Sequence, residues 1–209
     1  HRVHHNINII YLHHFRIREK LEDYPRSCHR STWYRVARMI FKFLFIVTIS
    51  SVIANAQQED DWKQLSLLPV CVRPRDKGYG HLQYHGKSKL VAALKLKHQT
   101  GKIRCTNNEA FDSNWGCAKE NGFNIIVTDE SNHVIYPHEE LIKDSSGMWY
   151  YLPLADAVHS TEIVFEDFCH PFYLQQYGKL RFWYGEDLKK HSDTDNQGQV
   201  CFDVLALFI

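Results

Sequence analysis

LRFWYGEDLKKHSDTDNQGQVCFDVLALFI, residues 180–209, is the stretch whose reading decides the fold class. Its two ends, LRFWY and QVCFDVLALFI, are rich in aromatic and aliphatic residues and read as strands. Between them lies an acidic segment containing Gly198, which has the composition of a loop. Strand, loop, strand is therefore the expected close of the chain.

The same grammar recurs upstream. FNIIVT, DESN and HVIYP, residues 123–137, form a strand, turn, strand sequence typical of a hairpin. WYYLPL supplies an aromatic strand, and STEIVFEDF another with alternation at Ile163 and Phe165. HPFYLQQYGK reads as a turn carrying Pro171 and Gly178, and residues 137–148 leave room for one helical turn. Residues 81–98 fit a strand better than a helix, on the alternation at Leu94 and Leu96. Residues 101–117 are crowded with Asn, Asp, Ser and Gly and read as a loop, while residues 57–80 read as an irregular lead-in with at most a short strand and little chemistry. Short strands separated by turn signals, with no long amphipathic helix, predict an all-β fold: an antiparallel β-sandwich, jelly-roll-like, braced by disulfides.

The first 56 residues are of a different kind. Met39 opens MIFKFLFIVTISSVIANA, in which Lys42 precedes an apolar run and Ala54 and Ala56 form an A-x-A cleavage site. This is the pattern of a secretory signal peptide over residues 39–56, and its apolar run is too short for a membrane span of about 20 residues. Residues 1–38 begin with His and precede the plausible start, so they are expected to be a translated leader and not native protein. Residues 57–209 are then one exported domain with 16 basic and 21 acidic residues, a net of −5. A mildly acidic domain gives no reason to expect nucleic acid or an anionic membrane as partner.

Cysteine usage fits export. Cys28 falls in the excluded segment, leaving Cys71, Cys105, Cys117, Cys169 and Cys201. Cys105 and Cys117 flank a polar turn and are the first candidate pair. Cys169 with Cys201 is the second, since both sit in the strand-rich C-terminal half. Cys71 is then left unpaired, or joins two chains in a disulfide-linked dimer. No N-x-[ST] sequon follows residue 56.

The C-terminal loop is the strongest candidate for chemistry. Glu186, Asp187, Asp193, Asp195 and Asn196 gather oxygen ligands of the type that Ca²⁺ takes in sets of about six to eight. D-T-D-N-Q-G mimics the start of an EF-hand when Asp193 takes the first position, but Val204 stands where the closing Glu is required, so an EF-hand is rejected. The alternative is a solvated acidic loop whose side chains make their own turns. Trp183 and Tyr184 can stack on a sugar or pack in the sheet core, and core packing is the commoner outcome for such residues. His133 and His138 lack the spacing of a zinc site, and no nucleophile elbow or phosphate-binding glycine loop occurs. The domain is expected to be non-enzymatic.

The motifs Asn114-Trp115-Gly116-Cys117, RFWYGEDL and DNQGQVCFDV, together with FNIIVTDESNHVIYP, make residues 101–209 resemble a secreted module of cnidarian extracellular and skeletal-matrix proteins. The resemblance implies a β-sandwich exported into matrix or mucus, without catalysis and without an assigned ligand. The resulting expectation is an extracellular matrix or recognition module whose partner is a matrix protein or a glycan. Its rival is a calcium-dependent, lectin-like carbohydrate-binding domain. A secreted toxin or hydrolase is a third reading that no residue favours.

Overall fold

The computed structural model describes residues 61–118 and 122–209, so the leader and signal peptide expected in residues 1–56 lie outside the described residues. Strands β1 (Trp62–Gln64), β2 (Val70–Val72), β3 (Gly80–Gln83) and β4 (Lys89–Arg104) come first. They are followed by β5 (Gly116–Cys117), β6 (Gly122–Phe123), β7 (Ile125–Thr128), β8 (Val134–Tyr136), β9 (Ile142–Asp144) and β10 (Trp149–Tyr150). The last strands are β11 (Glu162–Glu166), β12 (Phe172–Leu174), β13 (Lys179–Tyr184) and β14 (Gln197–Phe208), with a short helix, α1 (Gly185–Lys189), between β13 and β14.

Every strand pairing is antiparallel. A six-stranded sheet runs β1-β14-β4-β11, with β12 on β4 and β2 on β14. Two further sheets have four strands each, β3-β13-β7-β8 and, with shorter strands, β5-β6-β10-β9. The six-stranded sheet and the β3-β13-β7-β8 sheet meet through ring contacts: Phe182 of β13 lies edge-on to Phe202 of β14 at 5.5 Å, and Tyr136 of β8 stacks on Phe165 of β11 at 5.3 Å. The expected sandwich is present. Along β14, Val200, Phe202, Val204 and Ala206 are fully buried while their neighbours are more open, as a strand with one face on a core requires. Each large apolar side chain so buried stabilises the fold by about 1.5–3 kcal/mol.

Three segments differ from their sequence reading. β4 runs on to Arg104, through residues read as loop: Gly101 adopts a positive φ of 82° opposite Val200, and close by Gln99 is an extra residue of β4, where Thr100 and His98 face Cys201 and Phe202. A bulge thus carries turn-type residues inside a strand. Phe172–Leu174, read as part of a turn, pairs with β4, and Gly185–Lys189, read as loop, is helical. Glu186 and Asp187 sit in that helix's first turn, where carboxylates suit the exposed N–H groups.

The disulfides need one correction. Cys105 and Cys117 are bridged, but Cys201 pairs with Cys71 and not with Cys169. The reason is register: antiparallel β2 and β14 place Cys71 directly opposite Cys201, with their Cα atoms 4.0 Å apart. Sequence proximity of Cys169 to Cys201 was no guide to this pairing across 130 residues. Cys71 is consequently not a leftover thiol and does not link two chains, and Cys169 is itself disulfide-bonded.

The Trp-Gly-Cys turn is an architectural joint. Trp115 is fully buried, donates from Nε1 to Ser160 O at 2.7 Å and lies 5.7 Å from Phe202. At Gly116 a Cβ would fall 2.0 Å from the carbonyl oxygen of Gly122. Cys117 then ties β5 to Cys105 just beyond β4.

Candidate functional site

At one end of the sandwich the loop between β2 and β3 meets the segment from α1 to the start of β14. Asp187 builds the junction: its Oδ1 accepts from Lys77 N and its Oδ2 from Gly78 N, each at 3.0 Å. These bonds pin a turn in which Asp76 and Lys77 both have positive φ, 60° and 56°. Glu186 builds the next layer. Its Oε1 accepts from Trp149 Nε1 at 3.3 Å and its Oε2 from Asn196 Nδ2 at 2.8 Å, and the same Asn196 amide donates to Pro74 O at 3.2 Å. Asn124 holds Glu186 from behind by accepting from its backbone N–H at 3.2 Å.

Burial pushes the Glu186 and Asp187 carboxyls above their ordinary range, with the hydrogen bonds from Asn196 and Trp149, and from Lys77 and Gly78, acting against it. Holding both as anions therefore costs stability at neutral pH. That cost is relieved as pH falls through their raised folded-state values.

The five residues expected to bind calcium are thus divided. Glu186, Asp187 and Asn196 are buried and use their polar groups to join the two loops. Asp193 is partly exposed and Asp195 exposed, and no hydrogen bond or ion pair from the described residues engages either carboxylate. Among the described residues, no three acidic, His or Cys side chains converge as a metal cage. Asn196 Oδ1, however, is buried without a hydrogen-bond donor.

The stacking expectation also needs correction. Trp183 is 5% exposed and Tyr184 fully buried, so neither offers a ring face to a ligand. Trp183 points away from the core side of β13, as alternation demands, but Tyr79 covers it at 4.3 Å. Tyr184 packs edge-on to Trp149 and donates to Gly116 O at 3.2 Å. Of the neighbouring aromatic run, Trp149 and Tyr150 are buried and only Tyr151 is exposed.

The joined loops enclose a cleft of about 380 Å³, lined by residues 73–76 on one side and 196–198 on the other. Arg75 spans the cleft, donating from Nη1 to Thr194 O at 3.3 Å, with its Nε 3.5 Å from Asp76. Gln197 is oriented from below: Arg104 Nη2 donates to its Oε1 at 2.9 Å, and Arg104 is in turn fixed by Asp112 at 2.8 Å. Arginine can only donate, so Gln197 must give it the carbonyl oxygen and keep its amide nitrogen for the other side. Arg73, Arg75 and Gln197 are the functional candidates that sequence reading missed. The sole signal was R-P-R-D-K-G, a basic turn in a stretch assigned little chemistry.

No protein-family model matches the chain, and no curated protein matches it. A solved structure does, "AJLec from the Sea Anemone Anthopleura japonica". It is 31% identical in sequence with a TM-score of 0.64, and the match covers 71% of this chain and 97% of that one. The source is a cnidarian, in keeping with the resemblance found in residues 101–209.

Proposed function

We propose that this chain, which belongs to the same family as the sea-anemone protein AJLec, is a secreted, non-enzymatic carbohydrate-binding domain. The observation that carries the proposal is that kinship with a protein named as a lectin, over nearly the whole length of the relative. The polar cleft at residues 73–76 and 196–198 supports it, since saccharides are held by fixed hydrogen-bonding groups and this cleft has several. Paired cysteines suit the oxidising space into which residues 39–56, as a signal peptide, would deliver residues 57–209. A matrix protein as partner has no comparable support.

Calcium enters this proposal through Asp193 and Asp195, whose carboxylates remain available, while Glu186 and Asp187 hold the loops together. A hard cation there would take carboxylate oxygens just ahead, in sequence, of the cleft residues Asn196 to Gly198. A glycan array probed with purified protein, in Ca²⁺ and again in chelator, tests both parts. Binding to a defined glycan class is the expected result, and its loss in chelator is the expected sign of calcium. Glycan binding that survives chelation would remove calcium alone. Silence across the array in both conditions would contradict the carbohydrate reading.

A further inference from the structure

The donors that face the cleft point to a more specific ligand class: we infer that it takes an acidic saccharide, one carrying a carboxylate or sulfate group, with Arg73 as the principal anion contact. This rests on the carbohydrate reading above and adds the charge of the sugar.

Arg73 and Arg75 both line the cleft, against a single lining carboxylate, Asp76. Asp76 already faces Arg75 Nε, and Arg75 also serves Thr194 O, so the Arg75 guanidinium is partly engaged. Arg73 is exposed, and no group in the described residues binds its guanidinium. Its five N–H donors match the two oxygens of a carboxylate or sulfate in a planar, bidentate fashion. Gln197, turned by Arg104, adds amide donors from the opposite wall. The nearby carboxylates do not undo this balance. Glu186, Asp187, Asp193 and Asp195 all lie outside the cleft lining.

The saccharide part of the assignment rests on the carbohydrate reading above. Asn196, which also lines the cleft, is fully buried and fixed there: its amide N–H groups go to Pro74 O and Glu186 Oε2. A cleft lined by two arginines and one carboxylate selects an anionic sugar over a neutral one. A neutral sugar would leave Arg73 without its best partner.

Three probes test this by calorimetry on protein purified from expression of the full chain: a uronic-acid disaccharide, a sulfated disaccharide and their neutral parent. At least one acidic probe is expected to bind on the order of tenfold more tightly than the parent. Arg73→Gln should abolish that preference, bringing the acidic probes to the affinity of the neutral parent measured on the same variant, and its unaltered thermal midpoint would confirm an intact fold. The preference should also shrink with added salt. Equal affinity for acidic and neutral probes, or a preference that survives Arg73→Gln, would overturn the acidic-saccharide inference while leaving sugar binding in place. Failure of all three probes and of the glycan array would instead strike the carbohydrate reading itself.

Discussion

Gly116→Ala is expected to leave little folded protein, with a loss of more than about 3 kcal/mol and a thermal midpoint lower by on the order of 10 °C in whatever folds. The new Cβ would stand 2.0 Å from Gly122 O, and Asn124 N would lie 3.0 Å away. Both neighbours are backbone, so no rotamer change relieves the contact. Shifting β5 would draw on Trp115, which precedes it in the core, and on its own Cys117, bridged to Cys105. Soluble yield and thermal melting check this, and an alanine variant that melts within a few degrees of the parent would show that β5 is not held as described.

Cys71→Ser with Cys201→Ser is expected to cost about 2–5 kcal/mol, again a midpoint shift on the order of 10 °C. The bridge spans 130 residues and so restricts the unfolded chain far more than the 12-residue Cys105–Cys117 bridge does. It also joins strands that lead into the cleft, since Arg73 follows β2 and Gln197 begins β14. The same variant should therefore weaken glycan binding as well as stability. Melting curves under identical conditions give the comparison, and an unchanged midpoint would mean that the β2 and β14 pairing holds without its covalent tie.

Much of the fold was legible because a period of two records one buried face. STEIVFEDF and QVCFDVLALFI became β11 and β14 for that reason, whereas FNIIVT, buried along the whole of β7, was legible from its β-branched residues. The pattern fails where a second layer covers the other face. Trp183 stands opposite the core-facing Phe182 and Tyr184, yet Tyr79 buries it from outside, and nothing local to residues 180–184 announces that cover. Pairing across long distances is likewise hidden. Cys71 meets Cys201 only because β2 adds to β14, a register that no spacing along the chain encodes.

The candidate site was half legible. The acidic loop drew notice for its carboxylates, but two of them, Asp187 and Glu186, serve to hold the β2–β3 loop and Asn196 in place. The side chains that face the cleft, Arg73 and Gln197, come from a stretch read as an irregular lead-in and from the first position of a strand. Their significance is visible only once the intervening sheets bring these distant segments together.

The central claim, that a glycan binds between the β2–β3 loop and the start of β14, is tested most directly by titrating an array-selected glycan into ¹⁵N-labelled protein and mapping the amide shifts. Binding in the cleft predicts that the perturbed amides cluster at residues 73–79 and 194–198, with β11 and β12 unaffected. Perturbations clustered instead around the exposed Tyr151, or no perturbation at a glycan concentration that saturates the array signal, would contradict it.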